Sequence, residues 1–155
     1  MGPAGAGKST VGRALAQSLG GSFIDADDLH AAVSVEKMRQ GIPLTDEDRW
    51  PWLRQVKAAV ERRAASREPV VLACSALRQE YRDYLRTGLE DVRIVFLNGT
   101  SALLQSRLDR RTGHFAGKEL LKSQLDALEP PADALTLDAA LPSERLVALI
   151  VATLT

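Results

Sequence analysis

Apolar positions along this chain follow two alternating rhythms. From Lys8 to Leu19 they recur at Val11, Leu15 and Leu19, the i, i+4, i+8 spacing of one helix face. Gly20-Gly21 follows, where a helix stops cheaply by turning left-handed. Ser22–Asp25 predicts a short strand, Val35–Gln40 a polar helical stretch, and Gly41-Ile42-Pro43 a turn. Thr45-Asp46-Glu47-Asp48 predicts a helix start, with a side-chain cap and acids in the first turn. The helix after it carries Trp52, Val56, Ala59 and Val60. Pro69 then introduces Val70-Val71-Leu72-Ala73-Cys74, a continuous apolar run expected of a strand covered on both faces. Arg78–Arg86 predicts a helix, Arg93–Leu97 a strand, and Thr100–Arg111 a helix with Leu104 and Leu108 inward. Thr112–Gly117 predicts a polar loop, Glu119–Leu128 a helix ended by Pro130-Pro131, and Leu135–Leu137 a weaker strand. Ser143 is expected to cap a last helix with Leu146, Val147, Ile150 and Leu154 on its apolar side.

Strands alternating with helices predict an α/β fold, a parallel sheet with helices on both faces. No repeat, low-complexity tract or linker divides residues 1–155, so one domain is expected. Gly2-Pro3-Ala4-Gly5-Ala6-Gly7-Lys8-Ser9 is a complete phosphate-loop pattern followed by an amphipathic helix. Residues without Cβ let backbone N–H groups approach phosphate oxygens, and the helix beginning near Lys8 adds its positive end. Lys8 is expected to reach the β- and γ-phosphates of ATP, and the Ser9 hydroxyl to ligate Mg2+. The bland alternative is a glycine-rich turn before an ordinary helix. Such a loop joins a strand to a helix, yet only Met1 precedes Gly2. The sheet's first strand is therefore missing from the count, and the natural chain is expected to begin roughly 8–12 residues earlier.

Composition narrows the picture. Hydrophobic residues make up 45% and charged residues 26%, as in soluble globular proteins. Twenty basic and twenty acidic side chains balance, which argues against a nucleic-acid binder or an anionic-membrane binder. Cys74 is the single cysteine, so no internal disulfide forms, and a reducing cytoplasm fits. No apolar run approaches the roughly 20 residues of a membrane span.

Other residues suggest chemistry. Asp25-Ala26-Asp27-Asp28 ends the first predicted strand, and ligands in open α/β sheets bind beyond strand carboxyl ends. Strand alternation would put Asp25 and Asp27 on one side, near a metal or an acceptor hydroxyl. A solvated acidic turn capping the next helix is the alternative. Arg107, Arg110 and Arg111 precede Thr112-Gly113-His114-Phe115. Arginines there clamp phosphoryl oxygens or stack on adenine, or simply complement the helix dipole. His30 and His114 are too few for a metal site. Cys74 at a strand end is more often packing. Trp50 and Trp52 read as helix-start core more readily than as a sugar-stacking platform.

Several longer segments are more specific: GPAGAGKS (2–9), DADDLH (25–30), EKM (36–38), GIPLTDEDRWPWL (41–53), VVLACSALRQEYRDYLR (70–86) and RTGHFAGKELLKSQLDALEP (111–130). Spread over most of the chain, they resemble the gluconokinases of the shikimate-kinase-like P-loop group. The resemblance implies a three-layer fold, sheet order 2-3-1-4-5, with a mobile lid at about 112–120. It implies transfer of the ATP γ-phosphate to the 6-hydroxyl of D-gluconate. On that basis Gly2, Ala4, Gly5, Ala6, Gly7, Lys8, Ser9, Thr10 and Arg107 would hold the nucleotide. Ser9 and Asp25 would serve the metal, and Lys8, Asp27 and Arg111 catalysis. Asp27, His30, Arg49, Arg78, Arg82 and His114 would meet gluconate. Residues 138–142 would lie beside adenine. Dimers are common in the family, so a homodimer is carried over as an expectation. One segment departs: Ala31-Ala32-Val33-Ser34 stands where the family usually reads Pro-x-x-Asn.

Two rival readings fare worse. Shikimate or adenylylsulfate kinases share the loop but do not account for GIPLTDEDRWPWL. A GTPase switch needs Asn-Lys-x-Asp, and Leu97-Asn98-Gly99-Thr100 lacks the lysine and the aspartate.

Overall fold

Two parallel strand pairs carry the architecture. The computed structural model describes residues 1–112 and 116–154, the side chains of 111, 112, 116 and 117 excepted. Its elements are α1 (Lys8–Leu19), β1 (Ser22–Asp25), a 3-10 helix (Ala26–Leu29), α2 (Ala32–Arg39), α3 (Asp46–Ala64), β2 (Val70–Ala73), α4 (Gln79–Arg86), β3 (Val95–Asn98), α5 (Ser101–Thr112), α6 (Ala116–Ala127), β4 (Leu135–Asp138) and α7 (Ser143–Ala152). β1 runs parallel to β2, from Ser22 opposite Val70 to Asp25 opposite Ala73. β3 runs parallel to β4, from Val95 opposite Leu135 to Asn98 opposite Asp138.

Between β2 and β3 the described residues contain no strand. Met1 alone bridges the space. Its nitrogen donates to Val95 O at 2.6 Å and its carbonyl accepts from Leu97 N at 3.0 Å. That straddling of alternate residues is the parallel ladder, with Met1 opposite Phe96. On the other side Gly2 N donates to Ser75 O at 3.4 Å. Behind Met1 lies a cavity of about 1190 Å³, with Val71 and Leu72 on one wall, Ile94 and Val95 on the other, and Leu15 and Ile150 on the covering helices. The run Val70–Ala73 is accordingly only partly buried up to Leu72. Its apolar character suits full cover, and on this side it faces the cavity.

Each half of the molecule has its own core. Ala6, Val11, Leu15, Leu97, Leu104 and Leu146 are among the residues packed beneath the phosphate loop. Ala26, Trp52, Leu53, Val56, Cys74 and Tyr81 are among those packed around α3 and α4. Cys74 is buried, and burial pushes its thiol up to about 11, so it stays protonated and serves as packing. Thr45 and Asp48 form a reciprocal capping box: Asp48 N donates to Thr45 Oγ1 at 3.4 Å and Thr45 N to Asp48 Oδ2 at 3.0 Å. Among the described residues no helix is long and apolar enough to cross a membrane.

Some local expectations are corrected. Strand β1 stops at Asp25, so Asp27 lies on a 3-10 turn and strand alternation does not govern it. Pro142, not Ser143, is the N-cap of α7; Ser143 is the first helical residue and its hydroxyl bonds Glu144 instead. Of the expected loop at 112–117, Thr112 belongs to α5 and Ala116 and Gly117 to α6, while 113–115, the centre of the expected lid, lie outside the described residues.

The unpaired edges facing the cavity make a prediction. A five-residue Val/Ile-rich extension engineered ahead of Met1 is expected to fill the slot and raise Tm by roughly 5 °C. A Lys/Ser extension of equal length is expected to leave Tm unchanged. Scanning calorimetry distinguishes the two.

Candidate active site

The phosphate loop is shaped by close backbone contacts. Gly5 has φ 80, and a Cβ there would lie 2.7 Å from Leu104 O. Gly2 has φ 145, and its Cβ would lie 2.6 Å from Leu97 O. Only glycine fits where the loop crosses α5 and β3. Gly7 is the N-cap of α1 at φ 90, with no side-chain cap and no acid in the first turn. The positive end of a twelve-residue helix is thus open to an anion. Lys8 Nζ donates to Pro3 O at 3.0 Å, folded back over its own loop. Ala4 N donates to Gln124 Oε1 of α6 at 2.7 Å, which ties the loop to a distant helix. Arg107 lies against the loop, donating to Gly5 O at 3.4 Å and to Ala139 O at 2.7 Å.

At the end of β1 one carboxylate organises two neighbours. Ser9 Oγ donates to Asp25 Oδ2 at 2.6 Å, and Asp27 N donates to Asp25 Oδ1 at 3.2 Å. Asp25 is therefore the cap of the 3-10 helix and the partner of the loop serine. The hydroxyl and the carboxylate are hard oxygen donors, few in number, which suits a magnesium ion that keeps most of its water. Asp27 is exposed just beyond them, its side chain open to a ligand.

A second group of side chains lies across α3 and α4. His30 stacks on Trp52, ring centroids 4.3 Å apart and planes within 9°. Trp52 is 4% exposed and its Nε1 donates to Ala26 O at 2.6 Å. The indole is core, as expected, yet it also fixes the His30 ring. His30 Nδ1 is buried with no hydrogen-bond partner among the described residues. Burial holds the imidazole below its ordinary pKa, Asp27 opposing and Arg49 reinforcing the shift. Asp46, the first residue of α3, accepts from Arg78 Nη1 at 3.0 Å, from the Tyr81 hydroxyl, and lies 3.8 Å from Arg49 Nη1. The Tyr81 hydrogen bond and then the two arginines hold its carboxyl below the usual range. Pro43 and Arg78 face Glu119 and Ser123 of α6 across a cavity of about 490 Å³.

The expected site residues divide accordingly. Ser9, Asp25 and Asp27 meet; Lys8 and Arg107 lie on the loop; Arg49 and Arg78 share Asp46, with His30 electrostatically coupled to Arg49. Two differ. Gly2 directs its N–H to Ser75 O in the sheet. Arg82 is 3% exposed, lines the inter-strand cavity and donates to Ala76 O and Leu77 O at 2.9 and 3.0 Å, so it braces the β2–α4 loop. Thr10 is exposed on α1. The Arg111 side chain and His114 lie outside the described residues. The structure also brings Asp46, Trp52, Tyr81 and Gln124 against the candidate site, none of them among the residues the sequence assigns to it. Asp46 reads from sequence as a helix-start acid and Trp52 as core more readily than as a sugar-stacking platform; the signal for Gln124 is its place in the RTGHF…LEP segment.

Comparison with known proteins adds a family. The family model described as an AAA domain matches residues 1–131. The thermosensitive gluconokinase of Escherichia coli K12 is 45% identical over 131 residues, 84% of this chain and 70% of that one. The gluconokinase of Arabidopsis thaliana is 43% identical, covering 83% of this chain and 75% of that one. The crystal structure of a gluconokinase from Sinorhizobium meliloti 1021 superposes with a TM-score of 0.85 at 46% identity, covering 98% of this chain and 87% of that one.

The His30 environment has a measurable consequence. Its folded pKa lies below the unfolded value of 6.5, so above pH 6.5 both states are neutral and the site is at full stability. As pH falls from 6.5 toward the folded pKa, the unfolded chain binds a proton that the folded chain refuses, and stability declines. His30→Gln is expected to flatten this part of the profile, as read by urea unfolding at pH 7.5 and 5.5.

Proposed function

The chain belongs to the gluconokinase family, and from that premise we propose how its residues divide the ATP-dependent phosphorylation of D-gluconate to 6-phospho-D-gluconate. The carrying observation is the Ser9–Asp25–Asp27 chain of hydrogen bonds, which stands between an anion-ready loop and an arginine-bearing cleft. Backbone N–H groups of Gly5, Ala6, Gly7 and Lys8 cradle the β-phosphate. Lys8 leaves Pro3 O for the γ-phosphate and stabilises the charge that spreads over it in the transition state. Arg107, held by Ala139 O, lies on the adenine side. Ser9 and Asp25 would hold a magnesium ion, directly or through water; when bound, it neutralises charge on the β- and γ-phosphate oxygens.

Asp27 takes the acceptor. Its exposed carboxylate orients the 6-hydroxyl of gluconate and receives its proton. The bond from that oxygen to the γ-phosphorus forms as the bond to the β–γ bridging oxygen breaks, and ADP leaves. Arg49 and Arg78 meet the gluconate carboxylate, where guanidinium geometry matches two oxygens. His30, kept neutral by burial, is able to accept or donate a hydrogen bond to a substrate hydroxyl. Arg111 and His114, on the lid side, complete the proposal from the family pattern.

Activity measurements test these roles. Lys8→Ala is expected to lower kcat at least on the order of 100-fold with an unchanged circular dichroism spectrum. Asp27→Asn is expected to lower kcat while the Kd for ATP holds. Arg78→Ala is expected to raise the KM for gluconate roughly tenfold with little change in the KM for ATP. A coupled ADP-release assay over gluconate, shikimate and related sugar acids reads all three. Wild-type-like turnover of the Lys8 or Asp27 variant, or an Arg78 effect confined to ATP, would contradict the assignment.

A further inference from the structure

We infer that Asp46 sets the charge selectivity of the acceptor cleft, tuning the Arg49–Arg78 pair to a head group with one negative charge and against a dianionic one. The inference rests on the reading above that these arginines meet the acid group of the acceptor.

The geometry is that of a shared counter-ion. Asp46 Oδ2 accepts from Arg78 Nη1 at 3.0 Å, while Oδ1 lies 3.8 Å from Arg49 Nη1 and accepts from the Tyr81 hydroxyl. Its partners come from α3, from the N-cap residue of α4 and from α4 itself. Tyr81 is buried and meets Trp50 edge to face at 5.5 Å, so the hydroxyl end of this hub is anchored in the core. The other end is open: the Arg49, Arg78 and Asp46 side chains are 16%, 35% and 42% exposed. A guanidinium has five N–H donors. Asp46 occupies only part of each fork and leaves the remainder for a ligand.

Charge decides what that ligand is. Two cations share Asp46, and Glu80 also reaches Arg78, so two guanidinium groups face two carboxylates; a further carboxylate is held by the N–H donors the forks still offer, and a second negative charge on the same head would meet Asp46. The neighbouring charges likewise oppose a dianion more than a monoanion. Glu80 reaches Arg78 at 3.4 Å from its solvent side. Across the small cavity Glu119 adds a carboxylate, while Lys122 is held by Asp126 at 2.6 Å. Lys37 and Asp48, next along α3, are paired at 2.8 Å. His30 is kept neutral by burial. A carboxylate head such as that of a sugar acid fits this balance, and a phosphate monoester head does not.

The experiment compares gluconate with a hexitol 1-phosphate, an open-chain polyol with a phosphate where gluconate has its carboxylate. In the wild type the KM for gluconate is expected to lie well below the Ki of the hexitol phosphate. Asp46→Asn is expected to raise the KM for gluconate and lower the Ki of the hexitol phosphate, shifting their ratio roughly fivefold or more with kcat little changed. Tyr81→Phe keeps the charge and loosens its anchor, so both constants are expected to rise with the ratio held. Glu47→Gln removes an equal charge from the same helix turn and is expected to leave the ratio at the wild-type value. Asp46→Ser, which keeps a short polar side chain and leaves the Thr45–Asp48 cap in place, gives the same reading where circular dichroism shows the asparagine variant unfolded. An unchanged ratio in a folded Asp46 variant overturns the inference, as does an equal shift in Glu47→Gln. Failure of the wild type to phosphorylate gluconate would instead overturn the acceptor assignment. Calorimetric titration of the two ligands in the presence of ADP then still tests Asp46 separately.

Discussion

One carboxylate fixes the arrangement on which the site depends. Asp25 accepts from the Ser9 hydroxyl with one oxygen and from the Asp27 amide with the other. The first bond sets the distance between helix α1 and the end of strand β1. The second ends the strand and starts the 3-10 turn that presents Asp27 and leads to His30. Phosphoryl transfer demands little covalent chemistry from a protein and much positioning. A single short side chain here sets the spacing between the phosphate loop and the 3-10 turn that carries Asp27, the two ends to which the proposal gives nucleotide and acceptor. The two cores then hold each end rigid, one under the loop and one under Trp52 and Tyr81.

Much of this was legible in the residues, because local signals and tertiary demands agree. The phosphate loop, the left-handed stop at Gly20, the Thr45 capping box and the run Val70–Ala73 each carry their own chemistry within a few positions. Asp27 stands near the loop serine for a reason other than strand alternation. Strand alternation suggested it, but the chain leaves the strand at Asp25, and proximity to the strand end is what counts. Arg82 lies in a motif that also suits a ligand contact, and a charged side chain there does not reveal its neighbours. Only the fold shows that its guanidinium is needed for the carbonyls of Ala76 and Leu77. Asp46 and Gln124 were invisible for the opposite reason. Their partners stand 32 and 120 positions away, and no local pattern encodes a contact of that span.

The two halves of the site communicate through α6. Gln124 accepts from the Ala4 amide, while Glu119 and Ser123 of the same helix face Arg78 and Pro43. One helix therefore touches the phosphate loop and borders the cavity beside Arg78, the proposed acceptor wall. A displacement of α6 changes both at once, which is the mechanical requirement for a cleft that must exclude water before transfer. The departure from the family at Ala31–Ser34 falls at the start of α2, a helix that packs against α6; its N-cap Ala31 makes no side-chain cap and its Ser34 is buried.

The stacked pair of Trp52 and His30 also gives the molecule an optical property. The chain has two indoles, and each borders a different part of the proposed acceptor cleft. Trp52 lies face to face with the His30 imidazole, and Trp50 is wedged edge-on between Tyr81 and Tyr84, beside the hydroxyl that anchors Asp46. Ultraviolet emission from the unlabelled protein thus originates almost entirely beside the residues proposed to meet the acceptor. Replacing one indole at a time separates what happens at the imidazole from what happens at the arginines, with no dye attached and no turnover required.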